Sequence, residues 1–174
     1  CDEQASVQPV TLRLPLLPGQ NWEQLEAALL SFDMPLTVND TYGLLRFGEV
    51  TLADQRLMVP TEIMQPGKAA AELNITQQQR HMLVLDDGLA TQNPEPLKLG
   101  NRRITADSTL RVGDTVTGVS GILLQDERGY RLVPTATPQF TSSNPRPEAP
   151  AAKPATALRI ASFNVLNYFN GEGQ

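Results

Sequence analysis

One stretch of alternating apolar and polar residues, residues 110–134 (LRVGDTVTGVSGILLQDERGYRLVP), constrains the fold most strongly. One face of the strand predicted there carries Val116, Gly118, Ser120, Ile122 and Leu124, and the other carries Thr115, Thr117, Val119, Gly121 and Leu123. Residues 126–129 (DERG) supply a tight turn, after which residues 130–133 (YRLV) run back. The pattern predicts a β-hairpin of two long strands.

The glycines of the first hairpin strand, Gly118 and Gly121, indicate how the sheet is shaped. Glycine weakens a flat strand, but a small closed barrel needs its strands to bend sharply, and glycines or bulges allow such bends. We therefore predict an all-β fold built as a small barrel, with a minor helix. A β-sandwich is the alternative, since its strands also carry occasional glycines.

Further strand and helix patterns are compatible with this barrel. Residues 68–79 have the composition of a helix, although the triplet at residues 74–76 (NIT) is expected to interrupt it. Strands are predicted at residues 29–38, with Pro35 at a bend, and at residues 47–53, 56–59 and 81–85. Five or six short, curved strands with a helix near the middle are typical of an oligonucleotide/oligosaccharide-binding (OB) barrel.

Composition divides the chain into four parts. Residues 1–20 contain a connector strand, where Pro15 favours an edge position. Residues 21–140 form the predicted OB-like barrel. Residues 141–157 contain four prolines and no aromatic residue, which predicts a disordered, semi-rigid linker. Residues 158–174 begin a second apolar, β-like run that we interpret as the truncated first strand of another domain.

Charge and composition limit the classes of function. The chain has 14 Lys and Arg against 19 Asp and Glu, and a net charge of −5 argues against a strong general grip on nucleic acid. No apolar stretch is long enough to predict a membrane span. The chain starts at Cys1, its one cysteine, so we expect a piece of a longer protein, in which Cys1 is either an incidental thiol or half of a disulfide.

Few residues of the chain suggest catalysis. His81 is the one histidine, so a pair of catalytic histidines within the chain is excluded, and a structural or surface role is favoured. Asp86, Asp87 and Gly88 have side chains that suit a hard cation such as Mg²⁺, but they are also typical of a turn that ends a strand. The turn is favoured, because further oxygen ligands are not evident nearby.

Aromatic and basic residues of the barrel suggest a second kind of site. Single-strand binders combine aromatic rings that stack on bases with arginines that contact phosphates. The candidates are Tyr42, Arg46, Phe47, Arg102, Arg103, Arg111 and Tyr130. The alternative is that the aromatic residues belong to the core and the arginines are merely solvated. An aromatic content of 5% slightly favours that alternative.

The C-terminal run, residues 158–169 (LRIASFNVLNYF), resembles the opening strand of the DNase I-like endonuclease/exonuclease/phosphatase superfamily. In that superfamily an Asn after an apolar strand helps to form the metal and phosphate site, and it corresponds to Asn164 here. Upstream motifs, in order along the chain, are similar to the region before the catalytic domain of secreted bacterial nucleases. They are residues 22–26 (WEQLE), 35–40 (PLTVND), 46–50 (RFGEV), 60–61 (PT), 85–88 (LDDG) and 144–147 (NPRP). One departure is Ala27 with Ala28, where many relatives carry a glycine.

This resemblance implies that the chain is a non-catalytic OB-like module of a secreted, metal-dependent nuclease. The parent would hydrolyse phosphodiesters, DNA rather than RNA by preference, with Mg²⁺ or a similar divalent cation stabilising charge on the phosphate and helping to activate water. No cofactor is implied for residues 1–174 alone, because Asn164 by itself cannot hold the metal. For the barrel itself two functions remain open, which are nucleic-acid binding and a role as a spacer or protein-interaction domain.

Overall fold

A computed structural model describes residues 7–89, 91–100, 102–105, 107–150 and 152–162, and the predictions for Cys1 and Asn164 lie outside these residues. Its main sheet has nine strands in the order β1-β2-β9-β10-β5-β4-β3-β8-β11, and β6 pairs with β7 separately. The strands are β1 (Val10–Leu12), β2 (Leu29–Phe32), β3 (Leu36–Asp40), β4 (Val50–Ala53), β5 (Met82–Leu85), β6 (Lys98–Leu99), β7 (Arg102–Arg103), β8 (Thr115–Thr117), β9 (Ser120–Asp126), β10 (Gly129–Pro134) and β11 (Gln139–Thr141). The helices are α1 (Leu44–Phe47), α2 (Pro60–Ile63) and α3 (Lys68–Thr76).

The sheet curls into a barrel because it contains two long strands that are bent, one made of β2 and β3 and the other of β8 and β9. These two bent strands pair with each other on both sides of their bends. β2 and β3 are separated by three residues, and β8 and β9 by two. β2 pairs with β9, and β3 pairs with β8, so the ladder that runs through β10, β5 and β4 returns to its start. β5 and β10 are parallel, whereas the other neighbours within this ring are antiparallel. The prediction of an all-β, barrel-like fold is confirmed.

Alternating residues of the ring strands fill the barrel. Leu52 and Leu83 face each other across β4 and β5, and both are almost completely buried. Burying a side chain of this size stabilises the fold by about 1.5–3 kcal/mol. The other ring residues that are fully or nearly fully buried are Leu30, Leu36, Val38, Val50, Leu85, Val116, Leu123 and Leu132. The core therefore lies inside the ring, and functional side chains must come from its outer face and its loops.

The first hairpin strand is not continuous, which corrects the predicted faces. Gly118 has a φ of 66°, and this left-handed backbone ends β8 before β9 begins. The alternation changes phase there, so Val116 and Val119 are both buried, although they were assigned to opposite faces. Ile122, assigned to the face of Val116, is exposed instead. The predicted hairpin of β9 and β10 is confirmed, with Asp126 opposite Gly129.

Other predicted boundaries also change. Residues 56–59 do not form the predicted strand, because the side chain of Asn39 binds the backbone of Gln55 and Leu57 and takes this segment away from the sheet. Phe47 closes α1 and does not begin a strand, since the buried Leu44 anchors a helical turn there. The predicted strand at residues 29–38 is divided into β2 and β3, with Pro35 at the bend as expected.

The predicted helix at residues 68–79 is largely confirmed, but the triplet at residues 74–76 does not interrupt it. These three residues complete α3, and a π-helical turn, Gln77–His81, then leads into β5. Arg80 donates to the carbonyl of Leu16 at 2.6 Å through Nη2, which ties the end of the helix to the N-terminal segment. Within the described residues no helix has the length and apolar character that crossing a bilayer requires.

Replacing Gly121 with Ala should destabilise the barrel. An added Cβ would lie 2.2 Å from the carbonyl oxygen of Val133 on the neighbouring strand, so the two backbones would have to separate. We expect a loss of about 1–3 kcal/mol in the free energy of unfolding, measured in urea. Gln125→Ala, at an exposed position of the same strand, is the control and should change stability by less than about 0.5 kcal/mol. Equal stabilities of the two variants would contradict this account of the close strand approach.

Candidate functional site

A groove of about 690 Å³ lies against β4 and β5. Thr51 of β4 pairs with Val84 of β5, and both belong to the outward-facing set that alternates with the buried Leu52 and Leu83. The groove is lined by Trp22, Asn39, Asp40, Thr51, Arg56, Leu57, Met58, Val59, Pro60, Asn74, Gln77, Gln78, Met82, Leu83, Val84, Val112, Arg128 and Tyr130. Its size is in the range of small-molecule sites, and OB barrels bind their ligands on the face of the second and third ring strands, which are β4 and β5 here.

Side-chain amides fix one wall of the groove. The Nδ2 of Asn39 donates to the carbonyl of Gln55 at 2.8 Å, and its Oδ1 accepts from the backbone N–H of Leu57 at 2.8 Å. The buried Gln77 donates through Nε2 to the carbonyl of Met58 at 3.2 Å. The extended segment before α2 is therefore held between β3 and the helical layer, and it is preorganised as a wall.

A smaller pocket of about 180 Å³ continues the groove between the β3–β4 loop and the tip of the β9–β10 hairpin. Asp40, Thr51 and Arg128 line both cavities. The pocket is also lined by Tyr42, Gly43, Phe47 and Glu49. Tyr42 is 92% exposed, so its ring is free to stack on a flat ligand.

Two guanidinium groups lie on the ring of Phe47. The Cζ atoms of Arg46 and Arg128 are each 5.0 Å from the ring centroid, which is within the range of cation–π attraction. Arg128 also contacts Glu49, whereas Arg46 donates to the side-chain oxygen of Gln92 at 3.1 Å. Arg46 therefore keeps a charge that no described carboxylate neutralises.

Arg131 forms the centre of a charged network beneath this loop surface. Its side chain is 7% exposed, and its Nη1 donates to Glu49 at 2.6 Å and to Asp86 at 3.1 Å. Its Nε is 3.1 Å from Asp126, close enough for an ion pair although it has no hydrogen-bond partner in the described part of the chain. Burial acts to lower the pKa of Arg131, but its hydrogen bonds to Asp86 and Glu49 raise that pKa overall.

Two carboxylates of this loop surface, Asp126 and Asp87, have pKa values that are shifted in opposite directions. For Asp126, burial acts to raise the pKa, but the backbone N–H of Arg128 and the guanidinium groups of Arg131 and Arg128 lower it overall. Burial raises the pKa of Asp87, and the neighbouring charges of Asp86 and Glu49 act in the same direction. The loop surface therefore has several carboxylates close to its arginines.

Asp86, Asp87 and Gly88 form the predicted strand-ending turn. The Oδ1 of Asp86 accepts from the backbone N–H of Gly88 at 2.7 Å, and the Oδ1 of Asp87 accepts from that of Leu89 at 2.8 Å. His81 is half-buried, and its Nδ1 lies 2.8 Å from Asp54. Among the described residues, no group of three or more His, Cys, Asp or Glu side chains is arranged to hold a metal ion.

Two of the sequence-predicted arginines contact Asp114, which is fully buried. The backbone N–H of Arg111 and Nη1 of Arg102 lie 2.9 and 3.6 Å from its Oδ2. Its Oδ1 accepts from the backbone N–H groups of Ser143 and Asn144. Arg102 and Arg111 thus have partners inside the fold, whereas Arg103 is exposed on β7 and does not line the groove.

Tyr130 lines the groove, but its hydroxyl is engaged. The phenol donates to the carboxylate of Glu23, and this hydrogen bond raises the pKa of Tyr130 to about 12. Of the residues predicted from sequence, the structure therefore places Tyr42, Arg46 and Phe47 together in the β3–β4 loop. The sequence analysis missed Arg56, Asn74, Gln78 and Arg128, because their patterns are those of an ordinary solvated surface.

Replacing Asp114 with Ala should be strongly destabilising. The change removes the buried carboxylate that accepts from three backbone N–H groups and pairs with the guanidinium of Arg102. We expect a loss of about 3–5 kcal/mol in the free energy of unfolding, measured in urea. Asp107→Ala, which removes an exposed carboxylate from the same region, should cost less than about 0.5 kcal/mol. A small effect of Asp114→Ala would show that these contacts do not hold the segment that follows β11.

Tyrosine titration should detect the contact between Tyr130 and Glu23. The folded state favours the protonated phenol, so this contact stabilises the fold below the ordinary pKa of 10.0 and is lost as the pH rises through about 12. At about pH 11 the Glu23→Gln variant should show one more ionised tyrosine than the wild type, measured by tyrosinate absorbance. Tyr130→Phe should remove that difference. Identical titrations of the wild type and Glu23→Gln would contradict the hydrogen bond.

Comparison with known proteins gives one match. A family model described as "Domain of unknown function (DUF8508)" matches residues 20–144, which is more than half of the chain. The matched segment spans β2 to β11 and ends at Asn144, one of the residues bound to Asp114. No curated protein and no solved structure matches the chain.

Proposed function

We propose that this chain, which belongs to the DUF8508 family, is a non-catalytic barrel module of a metal-dependent nuclease and binds single-stranded nucleic acid in the groove on β4 and β5. In this proposal the nuclease is secreted and DNA is the preferred ligand. The barrel holds the strand, and a separate catalytic domain hydrolyses it.

The exposed ring of Tyr42 at the edge of the groove is the observation that carries the proposal. Single-strand binders use such rings to stack bases, and OB barrels do so between the loops that flank their second and third strands. Arg56 lines the groove, and Arg46 lies on the ring of Phe47, which lines the smaller pocket. Neither arginine forms an ion pair with a carboxylate in the described residues. One stacking ring and two available cations suit a short, weakly bound single strand.

The resemblance of residues 158–169 to the first strand of DNase I-like enzymes supports the link to a nuclease. Divalent metal bound in the catalytic domain would stabilise charge on the phosphate and help to activate water. In this proposal Asn164 corresponds to a residue of that metal site, and the remaining ligands belong to the catalytic domain. The barrel residues themselves bind and orient the strand in this proposal.

A second candidate function is a spacer or protein-interaction module. The observation that favours it is the pairing of Arg128 and Arg131 with Glu49 and Asp126, which leaves few free cations on the groove side. The net charge of −5 also favours a spacer or protein-interaction function over nucleic-acid binding. Both functions use the same barrel, so direct binding measurements decide between them.

Titration with a fluorescent single-stranded DNA at low salt should show binding that weakens as salt rises. Two phosphate contacts predict a slope of about −1.4 for log K against log salt. Tyr42→Ala should weaken binding by about 1–3 kcal/mol without changing this slope, because stacking releases no counterions. Arg46→Ala and Arg56→Ala should each reduce the magnitude of the slope by about 0.7.

Arg103→Ala is the matched control, since it removes an exposed arginine that lies neither in the groove nor on the ring of Phe47, and it should leave both affinity and slope unchanged. Equal losses for Arg103→Ala and Arg46→Ala would indicate general electrostatic attraction and contradict the groove as the site. A flat titration of the folded wild type would refute nucleic-acid binding and favour the spacer or interaction function.

A further inference from the structure

The helical wall of the groove carries two side-chain amides that form no hydrogen bond with the described residues. Asn74 in α3 and Gln78 in the π-helical turn are exposed, and both line the groove. Neither side chain has a hydrogen-bond partner in the part of the chain that the structure describes. The two residues are four positions apart, a spacing that brings side chains to the same side of a helix.

The neighbouring Gln77 fixes this wall in place. It is buried, and its amide donates to the carbonyl of Met58 across the groove margin. The three consecutive glutamines, residues 77–79, therefore lie in different environments. Gln77 is structural, Gln78 lines the groove, and Gln79 is exposed without lining it.

A carboxamide offers a donor and an acceptor side by side, which is the complement of a base edge that presents an acceptor beside a donor. Single-stranded bases are read in this way on both their Watson–Crick and Hoogsteen edges. Adenine presents its N6 amino donor beside the N1 acceptor on its Watson–Crick edge and beside the N7 acceptor on its Hoogsteen edge. It is therefore the base for which either edge matches an Asn or Gln amide, and both residues are established partners of adenine N6 and N7.

We propose that Asn74 and Gln78 form a base-reading wall that gives the groove a preference for adenine in single-stranded nucleic acid. This inference rests on the proposed function, in which Tyr42 stacks a base and arginines contact phosphate. It adds that sequence preference comes from the helical layer that lines the groove. The preference depends little on salt, because the amides carry no charge.

The test compares two single-stranded oligonucleotides of about 12 nucleotides, one of thymine alone and one in which adenines replace some of the thymines. The wild type should bind the adenine-containing strand about tenfold more tightly. The double variant Asn74→Ala, Gln78→Ala should lose this preference and bind the two strands with equal affinity. Gln79→Ala, the matched control, should keep the tenfold preference.

A measurement on the wild type tests the proposal even if the double variant does not fold. A strand that carries purine in place of adenine lacks the N6 amino group, and it should bind about as weakly as the thymine strand. Equal binding of the adenine and purine strands, or of the adenine and thymine strands, overturns the base-reading wall but leaves the proposed function intact. A folded double variant that loses affinity for both strands equally also overturns it. No binding of any strand refutes both proposals.

Discussion

The buried guanidinium of Arg131 holds together the outer surface from which the candidate site is built. It joins Glu49 from the β3–β4 loop, Asp86 at the end of β5 and Asp126 at the tip of the β9–β10 hairpin. These three places are far apart in sequence, so one side chain fixes the relative positions of both loops that flank the groove. Removing one member of such a buried network leaves unpaired charge and costs several kcal/mol, about 3–5 in measured cases. The geometry of Phe47, Arg46 and Arg128 on this surface therefore depends on Arg131.

The same network limits what the surface can bind. Arg128 lines the groove and could attract a phosphate there, but Glu49 and Asp126 already pair with it and with the buried Arg131. Affinity for a polyanion then has to come from stacking and hydrogen bonds more than from charge. This balance is compatible with a chain that carries a net charge of −5 and still presents an exposed tyrosine at its groove.

Much of the fold was predictable because it depends on local patterns. The β9–β10 hairpin, the bend at Pro35 and the helix before β5 each follow from residues close together in sequence. The phase change at Gly118 was not predictable, since alternation alone does not show where a strand changes its face. The loss of the strand predicted at residues 56–59 depends on Asn39, a contact 18 residues away from Leu57. Long-range hydrogen bonds of this kind leave no periodic signal in the sequence.

The candidate site was predictable only in part, for a related reason. Tyr42, Arg46 and Phe47 are neighbours in the chain, so a search for aromatic and basic residues finds them together. Arg102 and Arg111 look identical to binding arginines in the sequence. Only the structure shows that the Arg102 guanidinium contacts the buried Asp114 and that the Arg111 guanidinium donates to the carbonyl of Asn144. Asn74 and Gln78 are candidate site residues because they line the groove, and the sequence does not reveal this position.

The clamp on Ser143 and Asn144 has a consequence for everything that follows it in the chain. Asp114 fixes this point to the body of the barrel, so in the proposed function the proline-rich residues 145–157 would act as a tether with a defined origin. An extended proline-rich chain spans about 3.1 Å per residue, so a domain attached after it stays within about 40 Å of that origin. If both domains bind nucleic acid, as we propose, two surfaces within such a radius would meet the same strand at a high effective concentration, and weak affinity on each would suffice for tight binding by the pair.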